Sequence, residues 1–476
     1  MPSSPVIVWF RRDLRLADNP ALSEAAMGGR SIIPVYICES DAPRPLGVAA
    51  LWWQHYSLIA LGHSLAARGV TLQLHEGRAI DILPRLAAET GASMVVWNRR
   101  YAPKGMAIDQ AVAQSLAERG LRSQSFNASL LFEPERIRTA TGQAYKRFAP
   151  FWRRCLQEPD PPRPIPAPET LIGVEGLPQP ARGWNPASRG LGWAGFMEAT
   201  WTPGEDAARA RLVDFLDEGL RRYQARCERL PDYGTSRLSP HLAFGEIGPR
   251  QIWHACRAAG ADPESRFLRE LLWREFFLHV EASCPDFTDR PQKAEFDYFP
   301  WIEDEPSWRR FTAGATGYPI VDAGMRALWE TGWINNRVRM IAASFLVKNL
   351  LLPWQKGESW FWDTLVDAES GSNAGNWQWV AGCGHESAPF FRIFNPVLQG
   401  RTFDPHGHYV RRWVPELAGL PDAYIHTPWD APPRILADAG IRLGQNYPLP
   451  IVHHARARER ALAAFRALPQ QPAAGE

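Results

Sequence analysis

The sequence predicts two lobes: a doubly wound α/β domain on a parallel five-stranded sheet, joined by a long linker to an all-α domain. Three observations predict it. Over residues 1–132, short apolar runs alternate with helical patterns. From Glu158 to Gly204 the chain is rich in proline and glycine, as in EPDPPRPIPAPE and GLPQPARGWNP. From Glu205 onward the apolar spacing is helical and strand signals nearly vanish. The expected divisions are 1–132, a linker over 133–204, and 205–476.

The strand candidates are Val6–Phe10, Ser31–Cys38, Val70–His75, Ser93–Trp97 and Arg122–Phe126. Helical stretches lie between them at about Ala49–Arg68, Ile80–Thr90 and Met106–Arg119, with Gly69, Gly91 and Gly120 as stops. Strands separated by helices imply right-handed crossovers and a pocket beyond the strands' carboxyl ends. The first strand runs into Arg11-Arg12-Asp13-Leu14-Arg15, so the glycine fingerprint of a dinucleotide dehydrogenase is absent, as is a P-loop. In the second half, helices are expected at Asp206–Arg226, Pro249–Ala259, Ser265–Ala282 and Asp322–Leu352, with a frayed tail at the end.

The chain has 476 residues, 45% apolar and 22% charged, which suits a globular protein with a large core. No apolar run reaches the roughly 20 residues that cross a bilayer. The start lacks a charged region ahead of a long apolar stretch, so no signal peptide is read and a cytoplasmic location is expected. The six cysteines form no C-x-x-C pair; inert thiols are expected and no metal site, with a four-cysteine cluster left as the alternative by spacing alone. A net charge of +2 announces no nucleic-acid binder by itself. The 21 tryptophans suit either a large aromatic core or a role in stacking and electron transfer.

Four segments of the second half carry chemistry. Glu270, Trp273 and Arg274 fall at i, i+3 and i+4 on one helical face, where they could be a core tryptophan beside an ion pair or part of a pocket. Asn336 and Met340 lie one turn apart, near Arg337 and Arg339. Asp367 to Trp379 sets two acids and small polar residues before a W-x-W, read as a turn or loop whose acids could accept from a heterocycle's N–H groups. Tyr223 precedes Thr235-Ser236-Arg237-Leu238-Ser239, a set that suits a diphosphate or a plain helix cap.

These segments, in this order, resemble the photolyase/cryptochrome family. So do WFRRDLRLADNPAL, GTSRLSP, LLWREF, GYPIVDAGMR, TGWINNRVRM, ASFLVKNLL and NWQWVAGCGHESAPFFRIFNP, over nearly the whole chain. The resemblance implies FAD in the helical domain and light-driven repair of cyclobutane pyrimidine dimers in UV-damaged DNA by a monomer. It implies that Tyr223, Thr235, Ser236, Arg237, Leu238 and Ser239 hold the diphosphate. Arg274, Arg339, Asp367, Ala368, Glu369 and Asn373 would surround the rest of FAD, with Asn373 beside flavin N5. The lesion pocket would be Glu270, Trp273, Asn336, Arg337, Met340 and Trp379, of which Glu270, Asn336 and Met340 are the expected catalytic set. Trp273 and Trp379 would stack on flipped bases. Arg337, Arg392 and Gln399 would meet the DNA strand, and Trp377, Trp354 and Trp301 would pass electrons outward from the flavin.

Relatives that repair (6-4) photoproducts carry two histidines where Asn336 and Met340 stand. Plant-type cryptochromes usually carry aspartate where Asn373 stands. Both positions imply dimer repair, with a cryptochrome-type receptor as the alternative. Two positions depart from the family: Glu369 stands where aspartate is commoner, and Phe267 where some members have tryptophan. A second, antenna chromophore is expected, methenyltetrahydrofolate before a deazaflavin, from the likeness of Trp52-Trp53-Gln54-His55-Tyr56-Ser57-Leu58 to a folate-binding bacterial branch.

Overall fold

The computed structural model describes residues 4–177, 195–231, 234–387 and 391–469. The first lobe is a parallel sheet of β1 (Val6–Phe10), β2 (Ser31–Glu39), β3 (Gln73–Gly77), β4 (Met94–Asn98) and β5 (Arg122–Phe126), in the order β3-β2-β1-β4-β5. Its helices are α1 (Pro20–Ala26), α2 (Val48–Ala66), α3 (Ala79–Thr90) and α4 (Pro103–Ala117). Every residue of β1 and β4 is buried, as expected for central parallel strands covered on both faces.

Three expectations are corrected here. The sheet has six strands: β6 (Ile172–Gly173), from the proline-rich connection, pairs with β2. That connection is therefore partly structured, and its segment 178–194 lies outside the described residues, as does the tail beyond Leu468 and Pro469. β3 starts three residues later than Val70, because Val70 closes the end of α2 by giving its N–H to Leu65 O. The stretch Asp322–Leu352 is two helices, Pro319–Thr331 and Asn336–Ser344, followed by a π-turn at Phe345–Asn349. Gly332 ends the first at φ 66°, and Asn335 caps the second by accepting the Arg337 N–H.

The crevice at the carboxyl ends of β1 and β4, where the strand order reverses, holds a polar network. Arg11 donates to Asp109 Oδ1 at 2.8 Å and lies 4.2 Å over Trp9, and Asn98 donates to Asp13 and Asn19 at 2.6 and 2.8 Å. The same turn fastens the second lobe. Arg15 donates to Gly245 O and Ala128 O, and Arg12 to Ala243 O and Ala368 O. The arginine-rich turn thus joins the lobes.

The second lobe is helical. Helix Arg266–Ser283 and helix Ser370–Ala381 cross at van der Waals distance. A Cβ at Gly375 would fall 2.1 Å from the Phe277 ring, and one at Gly371 2.9 Å from Glu281 Oε2. Only glycine admits this approach. Gly375→Ala should therefore destabilise the protein by about 1–3 kcal/mol, the usual penalty of overpacking. Urea unfolding checks it; a loss well under about 1 kcal/mol would show that the helices have room to part.

Candidate flavin and lesion cavity

Between these helices and helix Asn336–Ser344 lies a cavity of about 510 Å³. It is lined by the whole FAD-side set, from Tyr223 and Thr235–Ser239 to Arg274, Arg339, Asp367, Ala368, Glu369 and Asn373. Glu270, Trp273, Asn336, Arg337, Met340, Trp377 and Trp379 line it too. Trp354, Trp301, Arg392 and Gln399 do not.

The 235–239 segment precedes a short helix, Ser239–Ala243. Arg237 adopts φ 52°, a left-handed conformation costly for a side-chain-bearing residue, and its guanidinium lies 4.2 Å over Trp201. Ser239 Oγ accepts from Trp333 Nε1 at 3.1 Å. Two side-chain ion pairs span the cavity wall. Arg339 meets both oxygens of Asp367 at 3.1 and 2.7 Å, and Arg274 meets Glu369 at 2.6 Å. The longer side chain of Glu369 thus keeps a carboxylate on the wall and also accepts from the Ser372 hydroxyl.

The W-x-W is corrected from loop to helix: Trp377 and Trp379 belong to Ser370–Ala381, roughly 200° apart by helical geometry. Trp377 is buried, and its ring packs where a Cβ on Gly357 would come within 2.2 Å. Gly357 is one turn past Trp354, at the start of helix Trp354–Thr364. Trp377 and Trp354 share one apolar cluster, and half-buried Trp301 packs at its edge.

On the lesion side, Trp273 is covered on one face by Phe148, stacked at 3.7 Å, from helix α5 (Phe148–Leu156). Burial pushes the Glu270 carboxyl above the usual carboxylate range. Arg337 is held by Glu228 at 2.7 Å, which also binds Arg266 at 2.5 Å, and its guanidinium lies 4.5 Å over Phe403. Arg392 is exposed, and Gln399 has a buried Oε1 that lacks a hydrogen-bond partner. Sequence reasoning missed Phe148, Trp201, Glu228, Arg266 and Trp333. Their partners in the cavity wall are mostly distant in the chain, although Arg266 also meets Glu270, one helical turn on, at 3.8 Å.

Trp52 and Trp53 of the antenna candidate are interior residues of α2, Trp53 donating to Glu246 at 3.1 Å. A second, shallower depression of about 450 Å³ is lined by Trp308, Gln355, Lys356, Ser359, Trp360 and Asp363. None of the six cysteines, all among the described residues, forms a disulfide, and no described helix is long and apolar enough to cross a membrane.

FAD fits this donor set. Arg274 Nε is a buried lining donor without a hydrogen-bond partner, and the wall offers hydroxyls, guanidinia and carboxylates to an elongated, charged aromatic ligand. A helical cavity so lined, beside an α/β lobe, suits a protein that binds an elongated, charged aromatic cofactor. Comparison narrows the class. Residues 6–169 match the family described as DNA photolyase, and 267–467 the FAD binding domain of DNA photolyase. The chain is 50% identical to a deoxyribodipyrimidine photo-lyase of Agrobacterium fabrum over 98% of this chain and 99% of that one. A crystal structure of a bacterial class III photolyase from Agrobacterium tumefaciens superposes with a TM-score of 0.95, covering 98% of each chain at 50% identity. Cryptochrome-1 of Arabidopsis thaliana is 38% identical over 95% of this chain and 69% of its own length. The chain belongs to the DNA photolyase/cryptochrome family.

Burial pushes the Glu281 carboxyl up to about 7, against hydrogen bonds from Ser370 and the Gly371 N–H. The folded state therefore keeps a proton that the unfolded chain releases near its ordinary 4.5, and this contribution to stability is lost as pH rises through about 7. Glu281→Gln removes that loss. Its stability relative to the parent should rise as pH increases from about 4.5 to 7, measured by urea unfolding at several pH values; a constant difference would contradict the assignment.

Proposed function

We propose that this chain repairs cyclobutane pyrimidine dimers in UV-damaged DNA, using light absorbed by FAD. The observation that carries the reading is that the FAD-side and lesion-side sets line one cavity. Bound and reduced, FAD would supply the light-driven electron-transfer chemistry for opening the cyclobutane ring, with no net redox change.

The protein binds, orients and stabilises. Thr235, Ser236, Arg237, Leu238 and Ser239, with Tyr223, hold the diphosphate; Arg274, Arg339, Asp367, Ala368, Glu369 and Asn373 hold the remainder. The lesion leaves the duplex stack to reach this cavity, at a cost of a few kcal/mol that damage lowers. Trp273 receives a base on the face opposite Phe148, and Trp379 receives the other. Glu270 keeps its proton to a higher pH than an exposed glutamate and can donate to a pyrimidine carbonyl where negative charge develops. Asn336 and Met340, one turn apart, offer an amide and an apolar face to the dimer. Exposed Arg392 and the amide of Gln399 serve the DNA backbone, with Arg337 behind Glu228. Trp377, Trp354 and Trp301 form a route for photoreduction from the cavity wall to the surface.

The enzyme works as a cytoplasmic monomer with a light-harvesting chromophore, methenyltetrahydrofolate before a deazaflavin. The open depression lined by Trp308, Lys356 and Trp360 offers exposed aromatic surface to a planar occupant, which the buried Trp52-Trp53 stretch does not. A cryptochrome-type receptor is the second reading, favoured by the 38% identity to the Arabidopsis protein. Glu270, Asn336, Met340 and the two stacking tryptophans favour repair, since a receptor needs no such set.

Reduced protein illuminated with near-UV or blue light should restore intact thymines in a dimer-containing oligonucleotide. No restoration would remove the repair reading. Trp301→Phe should slow photoreduction of oxidised flavin while leaving repair by pre-reduced protein nearly unchanged; equal loss of both would remove its electron-transfer role.

A further inference from the structure

We propose that Arg44, on the α/β lobe, is a positioning residue for the flavin site, acting through Glu358 on Asn373. The inference rests on the functional reading above, which places FAD against Asn373.

Both N–H groups of the Asn373 amide are committed. They go to Glu358 main-chain O at 2.9 Å and to Glu358 Oε1 at 2.7 Å. Both partners are acceptors, so chemistry alone dictates which way the amide turns. Its oxygen is left as the hydrogen-bonding atom for the cavity. Glu358 itself is 3% exposed, and a carboxylate so buried needs a cation. Arg44 supplies it as a fork, Nη1 to Oε1 at 2.7 Å and Nη2 to Oε2 at 2.8 Å.

The arginine is itself seated. Its guanidinium lies 4.2 Å over Trp362. Trp362 Nε1 donates to Pro45 O at 2.8 Å, and the Val48 N–H to Asp363 Oδ1 at 3.1 Å. Gly47 abuts the same helix so closely that a Cβ would fall 2.2 Å from Trp362 O. The segment before α2 thus grips helix Trp354–Thr364, which carries Glu358. With Arg44 in place Glu358 acts only as an acceptor, and Asn373 can show the cavity only an acceptor. That arrangement favours an N–H on the ring atom that faces it, and so the reduced flavin. Without Arg44 the side-chain half of this grip on the amide loosens, and only the Glu358 main-chain O still orients it.

The test uses the flavin-loaded protein and visible absorption at one poised potential. Arg44→Gln and Glu358→Gln should each lower the reduced-to-oxidised ratio roughly three- to tenfold, the weight of one hydrogen bond. Arg44→Lys keeps the charge without the fork and should lie between. The double variant should match Glu358→Gln alone, because both substitutions break one chain of contacts. A ratio for Arg44→Gln equal to the parent's, or a further fall in the Glu358→Gln background, would overturn the proposal. If Arg44→Gln retains no flavin, Arg44→Lys decides: a parental ratio overturns it. A parent that binds no flavin removes the functional reading as well, whereas a flavin-loaded parent indifferent to Arg44 removes this role alone.

Discussion

The site depends on how closely helix Ser370–Ala381 lies against helix Arg266–Ser283. Gly371 and Gly375 face Phe277 with no space for a methyl group. That contact brings Glu369 within 2.6 Å of Arg274 and sets Asn373 and Trp377 on the same wall as Trp273 and Glu270. On the proposed reading each helix serves both sides: one carries Glu270 and Trp273 for the lesion and Arg274 for the flavin, the other Asn373 for the flavin and Trp379 for the lesion. A wider separation would divide one cavity into two grooves, and short-range electron transfer needs one.

The α/β lobe is tied to the helical one through the arginine-rich turn that follows β1. Arg11, Asp13, Asn19, Asn98 and Asp109 fill the strand-order reversal with mutual hydrogen bonds, and Arg12 and Arg15 reach across to the helical lobe. Arg12 holds Ala368 O, next to Glu369, while Arg44 holds Glu358 behind Asn373. Burial lowers the pKa of Arg12 and Arg15, a cost that is tolerable because each guanidinium meets several carbonyls and nearby carboxylates. The first lobe therefore acts as a brace on the two segments that line the cavity's polar side.

Much of this was legible in the sequence, and the rest was hidden for identifiable reasons. β1 and β5 begin and end where their residue types change. β3 does not, because Val70 and Leu72 are apolar for packing after α2 and precede the strand. The break at Gly332–Asn335 was signalled by its glycine and asparagine, yet apolar spacing runs on through it. The run Ser370-Gly371-Ser372-Asn373 reads locally as a turn; it is helical because the neighbouring helix admits only small residues there. The cavity's residue types followed from motif and spacing. Phe148 behind Trp273 and Glu228 between Arg266 and Arg337 did not, since each meets its partner across a long stretch of chain.

That one cavity seats a pyrimidine dimer against the flavin can be measured through the excited state of the reduced, bound flavin. Its fluorescence lifetime is recorded with an oligonucleotide carrying a single dimer and with the same oligonucleotide undamaged. Transfer to a seated lesion should shorten the lifetime with the first and leave it unchanged with the second. Equal lifetimes, at concentrations where both oligonucleotides are bound, would contradict the account.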